Sequence, residues 1–164
     1  MRLRPLFLLA LLTAVIVFTL DATPAAAQNA EDDVRAVIDQ LFDGMRAGDS
    51  TMVRSAFYQG ALMGRATDEG FRAGPTDRFI NAIGTPHDQV WDERIWDVTI
   101  LVDQRLASAW MEYAFYLDEE LHHCGVNSMQ LYRTDAGWKI AYLADTNHGL
   151  DCEIPQGIQE GNEY

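Results

Sequence analysis

Four consecutive stretches rich in Val, Ile, Tyr, Trp and Phe, namely Val90 to Val102, Leu106 to Leu117, Leu121 to Arg133 and Trp138 to Thr146, are joined by very short links. Asp103-Gln104-Arg105, Asp118-Glu119-Glu120 and Thr134-Asp135-Ala136-Gly137 are too short to carry a strand back to a parallel neighbour, so the stretches must pair as an antiparallel meander. The last link places Gly137 where a hairpin needs a left-handed or bulged residue.

What precedes the meander reads as helix. Glu31-Asp32-Asp33 puts three carboxylates at the positive end of a helix dipole, and Val34, Val37, Ile38, Leu41, Phe42 and Met45 follow on one face. Gly48 ends this helix, and Asp49 is placed to cap a shorter second one carrying Met52, Val53, Ala56 and Phe57. The stretch 61–72 shows only a weak pattern, consistent with short irregular strands and turns. Gly74-Pro75-Thr76-Asp77 then starts a third helix with Phe79, Ile80 and Ile83, which stops before Pro86. Helices first and a meander second make an α+β domain.

The first residues carry a different message. Met1-Arg2-Leu3-Arg4, the apolar run from Leu6 to Leu20 and the small residues Ala25-Ala26-Ala27 have the order of a secretory signal peptide cleaved after residue 27. The run is short of the roughly 20 apolar residues that span a bilayer. The expected organisation is thus a leader over 1–27, one domain over 28–152, and a polar, acidic, mobile tail over 153–164, in a protein that is periplasmic or secreted. The formal net charge is −13, and losing Arg2, Arg4 and Asp21 with the leader makes it one unit more negative. Such a surface repels phosphate backbones and anionic lipid, so neither nucleic acid nor, after cleavage, membrane is an expected partner. In an oxidising compartment Cys124 and Cys152 form a disulfide or remain two free thiols, one of them buried in the sheet.

The order of helix, Gly-Asp corner, short helix, capped third helix and four long strands resembles the nuclear-transport-factor-2-like superfamily. Within it, His123-Cys124-Gly125-Val126, Leu131, Gly137-Trp138-Lys139-Ile140 and Asp145-Thr146 are similar to a SnoaL-like, lumazine-binding-like bacterial branch. The resemblance covers Asp32 to Cys152. It implies a curved antiparallel sheet wrapped around three helices as a cone, with a pocket at one end, often in a homodimer. Its members include ketosteroid isomerase, scytalone dehydratase, limonene epoxide hydrolase and polyketide cyclases, beside proteins that only bind. The ketosteroid isomerase pattern, a tyrosine on the first helix with two aspartates in the cone, is not matched, because the predicted helix 31–47 has no tyrosine.

Strand alternation proposes a site. Pairing Leu117 with Glu120 across the turn sets Trp110 opposite Asn127 and Glu112 opposite Gly125, and a bulge at Gly137 sets Asn127 opposite Asp145. Trp110, Glu112, His123, Asn127 and Met129 then share one face, an assignment that a slip of one residue would invert. On a concave face, His123 is the candidate base with Asp145 or Glu112 as its partner, because a buried imidazole or carboxylate exchanges protons near neutral pH. The same residues also read as a structural polar pair holding two strands together. Trp110, Asn127, Met129 and Tyr58 are the candidate ligand contacts, while Trp91, Trp96, Tyr113 and Tyr116 read as core or dimer surface. His122 alternates to the opposite face and His148 ends the last strand, so no metal site is expected. With no nucleophile elbow, dinucleotide fingerprint or phosphate loop, no cofactor is expected. Three functions fit: a binder of a small apolar or amphipathic molecule, a cofactor-independent lyase, isomerase or cyclase, and a partner-binding module using the outer sheet face.

Overall fold

The computed structural model describes residues 25–161. The expected leader lies outside the described residues except for Ala25, Ala26 and Ala27, which open helix α1 (Ala25–Arg46). As the spacing requires, α1 buries Val34, Ile38, Leu41, Phe42 and Met45. At its end Gly48 takes the left-handed conformation (φ +64°), and the Asp49 carboxylate accepts the N–H groups of Thr51 and Met52 at 2.9 and 3.0 Å, capping α2 (Ser50–Ala56).

The stretch that looked irregular is a long hairpin, β1 (Phe57–Thr67) with β2 (Gly70–Pro75). Its glycines and two-sided exposure hide the alternation that marks a strand. Helix α3 (Asp77–Ile83) follows, and then the meander: β3 (Trp91–Asp103), β4 (Leu106–Leu117), β5 (Glu120–Thr134) and β6 (Gly137–Thr146). The sheet order is β2-β1-β6-β5-β4-β3, antiparallel throughout except that β1 lies parallel to β6. The order leaves β2 and β3 as free edges, so the sheet is not closed. It wraps one face around α1, burying Ala107, Ala109, Met111, Met129, Leu131, Trp138, Ile140 and Leu143 against the helices.

Two bulges set the register. Leu117 pairs with Glu120 and Tyr116 with Leu121, but Phe115 then pairs with His123, so His122 is an extra residue in β5. Beyond it Met111 faces Asn127, Trp110 faces Ser128 and Glu112 faces Val126. The shift of one position turns Trp110 and Glu112 to the outer face, against the alternation argument. In the last hairpin Thr134 pairs with Gly137, and a second irregularity, between Leu131↔Ile140 and Gln130↔Tyr142, brings Asn127 opposite Asp145. That pairing was expected, with the bulge in the wrong place.

The outer face carries a second, smaller cluster of Trp96, Ala114, Tyr116, Cys124 and Ile158. Cys124 and Cys152 are joined as a disulfide, with their Cα atoms 6.3 Å apart. Residues 153–161, expected to be mobile, pack against the sheet instead. Ile158 in the short helix α4 (Gln156–Gln159) is buried, and the Arg94 guanidinium donates to the carbonyls of Ile158 and Gln159 at 3.0 and 2.8 Å. Arg94 also lies over the Tyr116 ring and pairs with Asp92, so one side chain of β3 fastens this segment. Among the described residues no helix is long and apolar enough to cross a membrane.

Candidate active site in the cone

Inward-facing residues of five strands meet the buried stripe of α1 around a cavity of about 170 Å³. Its apolar wall is Leu41, Phe42 and Met45 of α1, Met63 of β1, Phe79 of α3, Trp91 of β3, Phe115 of β4 and Leu143 of β6. Its polar end is built from two cross-strand rows. Arg65 stands beside Asp145 in the β1–β6 register, and Asp145 beside Asn127 in the β6–β5 register. In the second row His123, Phe115 and Glu93 lie side by side across β5, β4 and β3.

Gly125 sits between the rows, opposite Tyr113. A Cβ there would run into the Thr146 carbonyl oxygen and come within 3.0 Å of the Tyr113 ring. Its bare backbone lets the Tyr113 hydroxyl reach the Thr146 carbonyl at 2.7 Å. Across the gap the Asn127 amide donates to Glu93 Oε1 at 2.7 Å. Arg65 makes a forked ion pair with Asp145, with Nε 2.9 Å from Oδ1.

These surroundings set the charges. Burial pushes the Glu93 carboxyl up to about 7, with the Asn127 hydrogen bond opposing this and the Asp145 charge adding to it. Burial, then the charge of Arg65 and the neighbouring His122, push His123 down to about 4. Tyr113 is raised by burial and by Glu93 and Asp145, so it stays a neutral donor. At neutral pH the cone therefore holds a neutral imidazole, a closed Arg65–Asp145 pair and one carboxyl, Glu93, free to be in either state.

Of the residues singled out from sequence, His123, Asn127 and Asp145 line the cavity. Asp145 spends its oxygens on Arg65 rather than on His123, whose Nδ1 lies 2.8 Å from His122 Nδ1. Glu112 and Trp110 are on the outer face, exposed, and take no part. Met129 is fully buried in the core below, and Tyr58 is exposed, packed edge-on against Tyr132 rather than at the mouth. Sequence reasoning missed Glu93, Arg65 and Tyr113. Both phases of Trp91-Asp92-Glu93-Arg94-Ile95-Trp96 mix apolar and charged residues, so alternation does not single out Glu93. Arg65 sits in the glycine-rich stretch whose strand was not visible. Among the described residues no three His, Cys, Asp or Glu side chains converge as metal ligands would.

An open, curved sheet holding its pocket against an N-terminal helix is the nuclear-transport-factor-2-like architecture, and solved structures agree. An NTF2-like protein with a cystatin-like fold from Novosphingobium aromaticivorans superposes with a TM-score of 0.64 at 17% identity, covering 82% of this chain and 94% of that one. A "putative dehydratase from the NTF2-like family" from Streptomyces avermitilis gives 0.59 at 14% identity, over 74% and 97%. An NTF2-like protein from Shewanella baltica gives 0.59 at 16%, over 77% and 98%. No curated protein matches the chain. The family model described as "Putative lumazine-binding" matches residues 29–142, and the chain belongs to that family.

Proposed function

We propose that the protein binds one small molecule in the cone, apolar in body and polar at one end. The observation that carries this is the division of the cavity itself, an apolar wall from α1, α3 and the strands facing the polar cluster of Glu93, Asn127, His123 and the Arg65–Asp145 pair. A cavity near 150 Å³ accommodates benzene, so about 170 Å³ bounds the ligand to one ring or a compact fused pair. The lumazine named in the family description is a fused pair with acceptor atoms, and falls inside that bound.

A second reading rests on Glu93. A carboxyl held near 7 beside an apolar wall is suited to take a proton from a bound substrate and return it, which is the chemistry of a cofactor-independent lyase or isomerase. The dehydratase-like neighbour is compatible with that reading. A thermal-shift screen with one- and two-ring compounds, lumazine included, separates the two. A ligand that binds only the native state raises the melting temperature. Binding abolished by the cavity-filling Leu143→Trp supports the cone as the site, and binding unchanged in that variant refutes it. Conversion by wild type that Glu93→Gln loses while still binding establishes the enzyme.

The setting of this activity is proposed on separate grounds. The leader-like start and the Cys124–Cys152 bond favour export to the periplasm or beyond. The outer sheet face, with Leu101, Leu106 and Trp110 each more than half exposed, favours a homodimer. Mass measurement of the protein recovered from the cell envelope and sedimentation of the purified protein test these two points.

A further inference from the structure

Beside the buried stripe of α1 runs a second row, Arg35, Asp39, Asp43 and Arg46, spaced three and four residues apart and so on one flank of the helix. This flank, the free edge strand β3 and the docked segment around Ile158 and Gly161 enclose a groove of about 580 Å³. It is about three times the cone, and within the roughly 300–1,000 Å³ usual for small-molecule sites. Its floor is Asp92 and Arg94. The buried Asp92 carboxylate accepts from Arg46 Nε on one oxygen at 2.8 Å and from Arg94 Nε on the other at 2.7 Å, which holds the two guanidinium groups on either side of it. Arg46 Nη1 also donates to Asp43 at 2.8 Å, and Arg94 Nη1 to the carbonyls of Ile158 and Gln159. Among the described residues neither Nη2 group has a hydrogen-bond partner. On the rim, Asp39 and Asp43 each give Oδ1 to an arginine and have Oδ2 unpaired.

We propose that this groove is a second binding site, for a neutral polyhydroxylated ring of the sugar or cyclitol class. It is distinct from the cone, with which it shares only Phe42 and Glu93, and the proposal does not depend on what the cone binds. The groove offers spare donors on its floor and spare acceptors on its rim, and a hydroxyl is the group that accepts from the one and donates to the other. Its three arginines and three aspartates are already matched, while Glu93 gives Oε1 to Asn127 on the cone side. An anion would meet the carboxylate rim and a cation the paired guanidinium groups, whereas a hydroxylated ligand breaks no ion pair. Phe42, Ile95 and Ile158 add an apolar side for the C–H face of the ring. Because the ion pairs hold the polar groups in place before a ligand arrives, little order is lost on binding.

Isoleucine-methyl spectra of the oxidised protein test this, because Ile95 and Ile158 line the groove while Ile38 and Ile140 are buried in the core. Titration with myo-inositol, methyl α-glucoside and sucrose should shift Ile95 and Ile158 saturably for at least one of the three, with Ile38 and Ile140 unmoved. A linear drift common to all isoleucines is a solvent effect and counts as no response. Asp43→Ala, at an exposed position, should weaken the binding about tenfold, the worth of one hydrogen bond to a charged group. Asp39→Trp, which fills the groove from the rim, should abolish it. Both variants should keep the wild-type Ile38 and Ile140 signals, which separates a lost site from a lost fold. No saturable response to any of the three probes, or equal binding by Asp43→Ala and wild type, would overturn the proposal. So would saturation by citrate, putrescine or acetyl-tetra-alanine amide in their place, which would assign the groove to an anion, a cation or an extended peptide.

Discussion

Replacing Glu93 by Gln should make the protein more stable in base and change the way its stability responds to pH. In the folded state the Glu93 carboxyl is raised from 4.5 to about 7, so folding favours its protonated form. Stability from this group is therefore fully present below about 4.5 and is lost as pH rises toward 7, after which the loss levels off. At 1.36 kcal/mol per pH unit, the full cost of ionising Glu93 in the cone is about 3 kcal/mol, most of which accrues between pH 5 and 8. Gln has the shape of the protonated acid, and its Oε1 can still accept the Asn127 hydrogen bond. Urea denaturation of both proteins at pH 5 and pH 8 measures the difference. Glu93→Gln should exceed wild type by about 3 kcal/mol at pH 8 and by about 1 kcal/mol at pH 5. A difference that is the same at both pH values would refute the argument that Glu93 is held protonated by its surroundings.

Other consequences follow from the same geometry. His123, pushed down to about 4, contributes stability that is present above about 6.5 and lost as pH falls through 4, so His123→Phe should flatten the acid side of the stability profile measured by urea titration. Gly125→Ala should cost about 2–4 kcal/mol, from overpacking against Thr146 and loss of the Tyr113 hydrogen bond; a melting temperature equal to wild type would contradict the placement of Tyr113. Reducing Cys124–Cys152, which closes a loop of 28 residues, should lower stability by about 3–4 kcal/mol in a denaturation experiment with and without reductant. Ile158→Ala should cost about 2–4 kcal/mol if the last helix is docked, and under about 0.5 kcal/mol if it is not.

Much of this architecture was legible because its signals are local. The buried stripe of α1, the Gly48–Asp49 corner, the start of α3 and the four long strands are set by spacing and by turn residues a few positions apart. The hairpin of β1 and β2 was not, because its glycines remove the side chains whose alternation marks a strand. The site was half legible for a related reason. His123, Asn127 and Asp145 lie on β5 and β6, where a single irregularity brings Asn127 opposite Asp145 as expected. Glu112 and Trp110 lie across the His122 bulge, and no glycine or proline marks that bulge in Glu120-Leu121-His122-His123. Glu93 reaches Asn127 across β4, from a strand that is not the neighbour of β5, a relation that no local pattern contains.

The cone is proposed to take a small ring with its polar end toward Glu93 and Asn127. Methionine-methyl spectra test it most directly, because Met45 and Met63 line the cavity while Met111 and Met129 are buried in the core away from it. Titration with p-cresol and with benzene should shift Met45 and Met63 saturably, p-cresol binding the tighter, and Leu143→Trp should abolish both responses. Shifts confined to Met111 and Met129, or a response to neither ring, would contradict it.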